Sequence, residues 1–238
     1  MNLTLADHLL LLALDDDTGK TYGATQGTLE YGLVGALLIE LTLRGKLGLT
    51  DEQRLIAADA APTGDELLDE ALGHIAASEK LRDAKGWVGK LHGQLKHLKD
   101  RLTGRLVEGG ILRHEAGKIL LIFPTNRYPA QDRSHELEAR AQLSALLLGE
   151  ADPDPRTAAL AQLVEVVKLF DLLFAPIDRK AAKARLQALK DSGQLDTAIS
   201  KSIKQISDEV QAATMAAITA STVAATSASC SATTSVSC

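Results

Sequence analysis

The chain has 238 residues, 45% apolar and 24% charged, the balance of an ordinary folded domain. Its formal net charge of −5 argues against a dedicated nucleic-acid binder, and no run of about 18 uncharged, apolar residues offers a membrane-spanning helix. Aromatic residues make up only 3%, so Leu, Ala, Ile and Val must build the core, and the abundance of Leu and Ala favours helix.

Thr4 followed by Asp7 reads as a capping box with Asp in place of Glu, opening a short apolar helix to about Leu14. Asp15-Asp16-Asp17-Thr18-Gly19 is a turn signal. The apolar run before it is too short for a spanning segment, and the N-terminus has no basic start or cleavage site of a signal peptide. Thr28 to Arg44 reads as a largely buried helix (Leu29, Leu33, Leu37, Leu38, Leu41) stopped by Gly45. Gly32 and Gly35 inside it predict close packing or a frayed first turn. Lys46 to Thr50 alternates like a short strand.

Pro62-Thr63-Gly64-Asp65-Glu66 starts a further helix, with Thr63 as the expected cap and Glu66 at the reciprocal position. Leu67, Leu68, Ala71, Leu72 and Ile75 give it a core face. Leu91, Leu95, Leu98, Leu102 and Leu106 follow the spacing of one helical stripe, ended by Gly109-Gly110. A hairpin is expected next, from Ile111–Arg113 and Lys118–Phe123, turning around Glu115-Ala116-Gly117. Helices over Ser134–Leu148, Arg156–Phe174 and Asp178–Leu189 follow, separated by Asp152-Pro153-Asp154-Pro155 and by Pro176, with a last one starting near Asp196. From Val210 no charged residue appears and Ala, Ser and Thr dominate, the composition of a disordered tail. The expected organisation is one mainly α-helical, compact domain over 1–209 with a small β-hairpin, and a low-complexity tail over 210–238. Both cysteines, Cys230 and Cys238, fall in that tail, so the folded part is disulfide-free, as in a cytoplasmic protein.

Several blocks now line up with a known family. Leu3-Thr4-Leu5 with Leu9-Leu10-Leu11, then Gly32-Leu33, Gly35, and Leu37 through Leu47, are similar to the N-terminal signature of Golgi phosphoprotein 3 proteins. Ala61-Pro62-Thr63-Gly64-Asp65-Glu66-Leu67-Leu68-Asp69-Glu70-Ala71-Leu72 resembles that family's most recognisable string. Lys90-Leu91-His92, Gln94-Leu95, Arg101-Leu102, Leu106-Val107-Glu108, Gly110 and Phe174-Ala175-Pro176 continue the resemblance in the same order.

The resemblance implies a mostly helical domain and a non-enzymatic adaptor. Eukaryotic members are peripheral proteins on the cytosolic side of the Golgi membrane that bind phosphatidylinositol 4-phosphate, hold cytoplasmic tails of membrane enzymes and recruit coat proteins. It also implies a headgroup pocket made from a Trp, an Arg and two basic residues one turn apart. Lys96 and Lys99 fall on the basic pair, while Thr25 stands at the Trp position and Val34 at the first Arg position. The chain begins directly at the domain, so the basic N-terminal extension of those members is not expected, and a prokaryotic or divergent member is implied.

The residues carry this reading part of the way alone. Between Lys85 and Lys118 eight basic residues face three acidic ones, a local balance of +5. On a continuous helix Lys96 and Lys99 project from one side, flanked by Lys90 and Arg101. Each such charge contributes on the order of 1 kcal/mol near an anionic surface. Ile119-Leu120-Leu121-Ile122-Phe123 is apolar on both faces, a candidate for insertion into a bilayer or for self-association. Burying each of these side chains is worth roughly 1.5–3 kcal/mol.

The bland readings are a solvated basic face and a core strand. A winged-helix nucleic-acid binder is the alternative from another class, with Lys96, His97, Lys99, Asp100 and Arg101 as base readers, although the acidic total disfavours nucleic acid as a partner. The six histidines show no metal-ligand spacing and no phosphate loop follows a strand, so neither cofactor nor metal nor catalytic residues are expected.

Overall fold

The computed structural model describes residues 2–119, 123–152, 154–191, 205–212 and 214–216. The protein is mainly α. Helix α1 (Leu5–Ala13) starts as expected, for the Thr4 hydroxyl accepts from the Asp7 N–H and the Asp7 carboxylate accepts from the Thr4 N–H. Helix α2 (Leu29–Leu43) buries residues on nearly every side, the charged Glu40 among them, which suits a central helix. It packs against α1 and against α3 (Glu66–Ala76), α4 (Ala84–Gln94), α5 (Leu98–Glu108) and α7 (Pro155–Val166). Gly32 and Gly35 are the points where neighbours come closest to α2. A Cβ at Gly32 would overlap Val167 Cγ1, and one at Gly35 would overlap Val210 Cγ2.

Strands β1 (Leu47–Leu49) and β2 (Leu55–Ala57) form a small antiparallel pair, of which only the first strand was expected. Helix α3 is capped by Asp65, not Thr63: its carboxylate accepts from the Leu67 and Leu68 N–H groups. Thr63 instead sits two residues earlier and donates its N–H to Asp69.

Three expectations fail at breaks in the chain. The leucine stripe from Leu91 to Leu106 is two helices, α4 and α5, because His97 adopts a left-handed backbone (φ 55°) between them. The hairpin is β3 (Glu115–Ile119) against β4 (Phe123–Arg127), with Glu115 opposite Arg127 and Ile119 opposite Phe123. Glu115-Ala116-Gly117 therefore lies in a strand and not in the turn, and Ile119 and Phe123 stand at the ends of different strands. Leu120, Leu121 and Ile122 lie outside the described residues. The expected helix Arg156–Phe174 is α7 followed by the short α8 (Phe170–Leu173), broken at Lys168 (φ 65°).

Helices α6 (Ser134–Leu148) and α9 (Arg179–Asp191) keep their expected places. Residues 205–212 are helical, with Ile206 and Val210 fully buried, so the packed part continues beyond residue 209. The helix start at Asp196, Pro153, and most of the tail, including Cys230 and Cys238, lie outside the described residues.

Glycine ends α2, α5 and α6 in left-handed conformation, at Gly45, Gly110 and Gly149. Each accompanies a pair of backbone bonds that closes the last turn; after α2, for example, Gly45 N–H donates to Thr42 O and Lys46 N–H to Leu41 O. Among the described residues no helix is long and apolar enough to cross a membrane.

Candidate functional site

The break before α5 relocates the expected basic pair. Lys96 lies in the link between α4 and α5, while Lys99 sits in the first turn of α5, so the two do not share a helix face. They nevertheless line one cavity of about 200 Å³, together with Glu30, Val34, His92 and His97.

Lys99 is half-buried and common to two further cavities. The larger, about 950 Å³, is walled by the 21–31 segment, including Tyr22, Thr25 and Tyr31, with Lys99 and Lys168. The other, about 390 Å³, adds Lys20, Thr103, Asn126 and Tyr128. Three lysines, Lys20, Lys96 and Lys168, thus line cavities that Lys99 also lines. None of the four ammonium groups has an ion-pair partner among the described residues. The acidic groups at this rim are engaged: Glu30 Oε2 lies 3.1 Å from His92 Nε2, and Asp100 lies 3.5 Å from His97.

The two positions that the family resemblance assigns to Trp and Arg do fall here, but as wall and not as ligand. Thr25 is buried, and its hydroxyl donates to Tyr22 O at 2.8 Å, closing a 3₁₀ turn over Gly23–Thr25. Val34 is buried in the core face of α2. Aromatic surface comes instead from Tyr22 and Tyr31. The Tyr31 ring stacks on His92 with centroids 4.3 Å apart and planes 6° from parallel. Burial, with Asp15 nearby, pushes the Tyr22 hydroxyl above its ordinary range, so it stays a neutral donor.

The other two expected basic residues are occupied. Arg101 donates to Glu66 at 2.7 Å and pairs with Glu70 at 2.6 Å, tying α5 to α3. Lys90 lies over the buried Trp87 ring, 5.1 Å from its centroid, and Arg82 stands at the same distance. Arg105 is likewise committed, bonded to the fully buried Asp7 and to the cap residue Asp65.

Sequence reasoning missed Lys20, Lys168, Tyr22 and Tyr31. Lys20 follows the Asp15–Gly19 turn and Lys168 sits at a helix break, so neither belongs to a periodic pattern. The segment Tyr22–Gln26 carries no motif beyond its small residues.

Comparison with known proteins gives the family. The sequence model of Golgi phosphoprotein 3 (GPP34) matches residues 5–210. A relative, vacuolar protein sorting-associated protein 74 of Eremothecium gossypii, is 32% identical over 166 residues, which cover 61% of this chain and 49% of the relative. The match thus spans about half of that relative's length. With the family model covering helices α1 through α9, the chain belongs to the Golgi phosphoprotein 3 family.

Proposed function

We propose that this chain is a non-enzymatic peripheral adaptor that docks on anionic membranes through the lysines around Lys99, favouring phosphatidylinositol 4-phosphate over diffuse negative charge. The observation that carries the reading is the sharing of Lys99 by three cavities, with Lys20, Lys96 and Lys168 at their rims and, among the described residues, no carboxylate paired to any of them. Four surface charges at about 1 kcal/mol each amount to no more than millimolar affinity. A second signal is therefore needed, and the apolar stretch Ile119-Leu120-Leu121-Ile122-Phe123 supplies it by membrane contact or by self-association. Cytoplasmic tails of membrane enzymes are the protein partners that fit the family.

A nucleic-acid role fits less well. The guanidinium groups of Arg101 and Arg105, which a reading helix would turn to the duplex, are bound to Glu66, Glu70, Asp7 and Asp65.

The test is sedimentation with vesicles of neutral lipid, of phosphatidylserine, or of phosphatidylinositol 4-phosphate at matched charge. The Lys96→Ala/Lys99→Ala variant is expected to lose phosphoinositide binding selectively. Binding that follows charge alone would reduce the site to a generic electrostatic anchor. Absence of pelleting with every lipid would overturn membrane docking.

A further inference from the structure

Helix α7 ends in a full left-handed cap. The Lys168 N–H donates to Glu165 O at 3.0 Å and the Leu169 N–H to Val164 O at 2.9 Å, while Val164 and Leu169 bury their side chains together beneath the turn. The helices α2, α5 and α6 place glycine at this position, which accepts positive φ without a steric cost. Among the described helix ends closed in this way, only that of α7 has a side chain there, a lysine with φ 65°. A residue held in an unfavourable backbone region where glycine would serve better is a pointer to function.

The corner that carries Lys168 is also locked in place. Val167 packs onto Gly32 so closely that no Cβ fits there, and the Thr28 hydroxyl donates to Val167 O at 3.2 Å. Position 168 is thereby fixed to the start of α2, directly beside the wall formed by residues 21–31. Lys168 is exposed and lines the cavity of about 950 Å³ that Lys99 lines from α5. Two ammonium groups without ion-pair partners among the described residues, one from α5 and one from the turn after α7, thus serve one cavity that also offers the Tyr22 and Tyr31 side chains. A phosphomonoester carries up to two negative charges and several acceptor oxygens, which is the chemistry that two point charges with rotatable donors satisfy.

We infer that Lys168 is a phosphate-binding residue of the docking site, paired with Lys99 so that the two hold the phosphomonoester of a lipid headgroup between them. This rests on the membrane-docking reading above.

Because the residue sits where glycine is preferred, one substitution separates binding from folding. Lys168→Gly removes the ammonium group while relieving the backbone, so its melting temperature is expected to equal or exceed that of the wild type. Its binding to phosphatidylcholine vesicles containing phosphatidylinositol 4-phosphate is expected to fall about fivefold. Binding to phosphatidylserine vesicles of equal charge should change much less, and Lys168→Arg should retain phosphoinositide binding.

If Lys168→Gly binds both vesicles as the wild type does while Lys99→Ala fails on the phosphoinositide, the pairing is overturned and the docking site stands. An equal loss on both vesicles overturns it too, since Lys168 would then be part of a diffuse field. A wild type that pellets with neither lipid overturns the docking reading and this inference with it.

Discussion

Glu40 offers the sharpest test of how the helices are locked together. Its side chain is 2% exposed, and both carboxylate oxygens are used. Arg156 Nη1 donates to them at 2.9 and 2.7 Å, Arg44 Nε donates at 2.9 Å, and the Leu5 N–H donates at 2.9 Å. One carboxylate thus joins the start of α1, the end of α2 and the start of α7. Replacing Arg156 by Met leaves the charge buried with half its contacts gone. Breaking a buried pair in this way costs about 3–5 kcal/mol. The lower end is expected, about 3 kcal/mol, because Arg44 and the Leu5 N–H remain and the Arg156 side chain is 35% exposed.

For a chain of this size that corresponds to a fall in melting temperature of about 6–12 °C, read by circular dichroism. The loss should depend on pH. Burial pushes the Glu40 carboxyl upward, but its bonds to Arg156, the Leu5 N–H and Arg44 outweigh burial and hold it below its ordinary range. In the wild type its stabilisation is present above the unfolded value of about 4.3 and is lost as pH falls through the lower folded value. In Arg156→Met burial prevails, the folded carboxyl titrates above the unfolded value, and acidification restores stability to the variant. The deficit should therefore shrink between about pH 7 and pH 5. A deficit below about 1 kcal/mol, or one that is constant over that range, would refute the argument.

Two further outcomes follow from the geometry, beside the vesicle tests of Lys96, Lys99 and Lys168. Gly35→Ala should cost about 1–3 kcal/mol in denaturant unfolding, because the new methyl overlaps Val210, and Val210→Ala in the same chain should recover part of it. Arg101→Ala should leave vesicle binding unchanged, since its guanidinium is held by Glu66 and Glu70; a loss as large as that of Lys99→Ala would show that those pairs open on the membrane.

Much of the fold was legible because its signals are local. The Thr4–Asp7 box, the apolar α2 and the glycine stops at Gly45 and Gly110 depend on neighbours in sequence, and periodicity reads them directly. Gly32 and Gly35 were legible as close approaches, but Val167 and Val210, which approach them, were not, since tertiary contacts leave no periodic trace. The α3 cap was misplaced by two residues because Thr63 with Glu66 matches the capping pattern, whereas Asp65, three residues before Leu68, caps without a reciprocal partner. The basic count over 85–118 was correct as arithmetic yet misleading as electrostatics. It could not reveal that Arg101 and Arg105 are neutralised by α3 and α1.

The two helix breaks that periodicity overran have a common cause and a common place. The leucines at 91, 95, 98, 102 and 106 keep helical spacing straight through His97, and the apolar run 158–174 does so through Lys168. Nothing local announces a stop, because the residue in the left-handed position is not glycine in either case. Each conformation is held by its surroundings against its own preference, at a cost of about 1–2 kcal/mol. His97 lines the cavity with Lys96 and Lys99, and Lys168 lines the cavity with Lys99. Sequence-level consistency is expected to fail where function imposes a conformation that the local residues do not choose. Both failures border Lys99, and that coincidence supports placing the site around it more strongly than the number of lysines does.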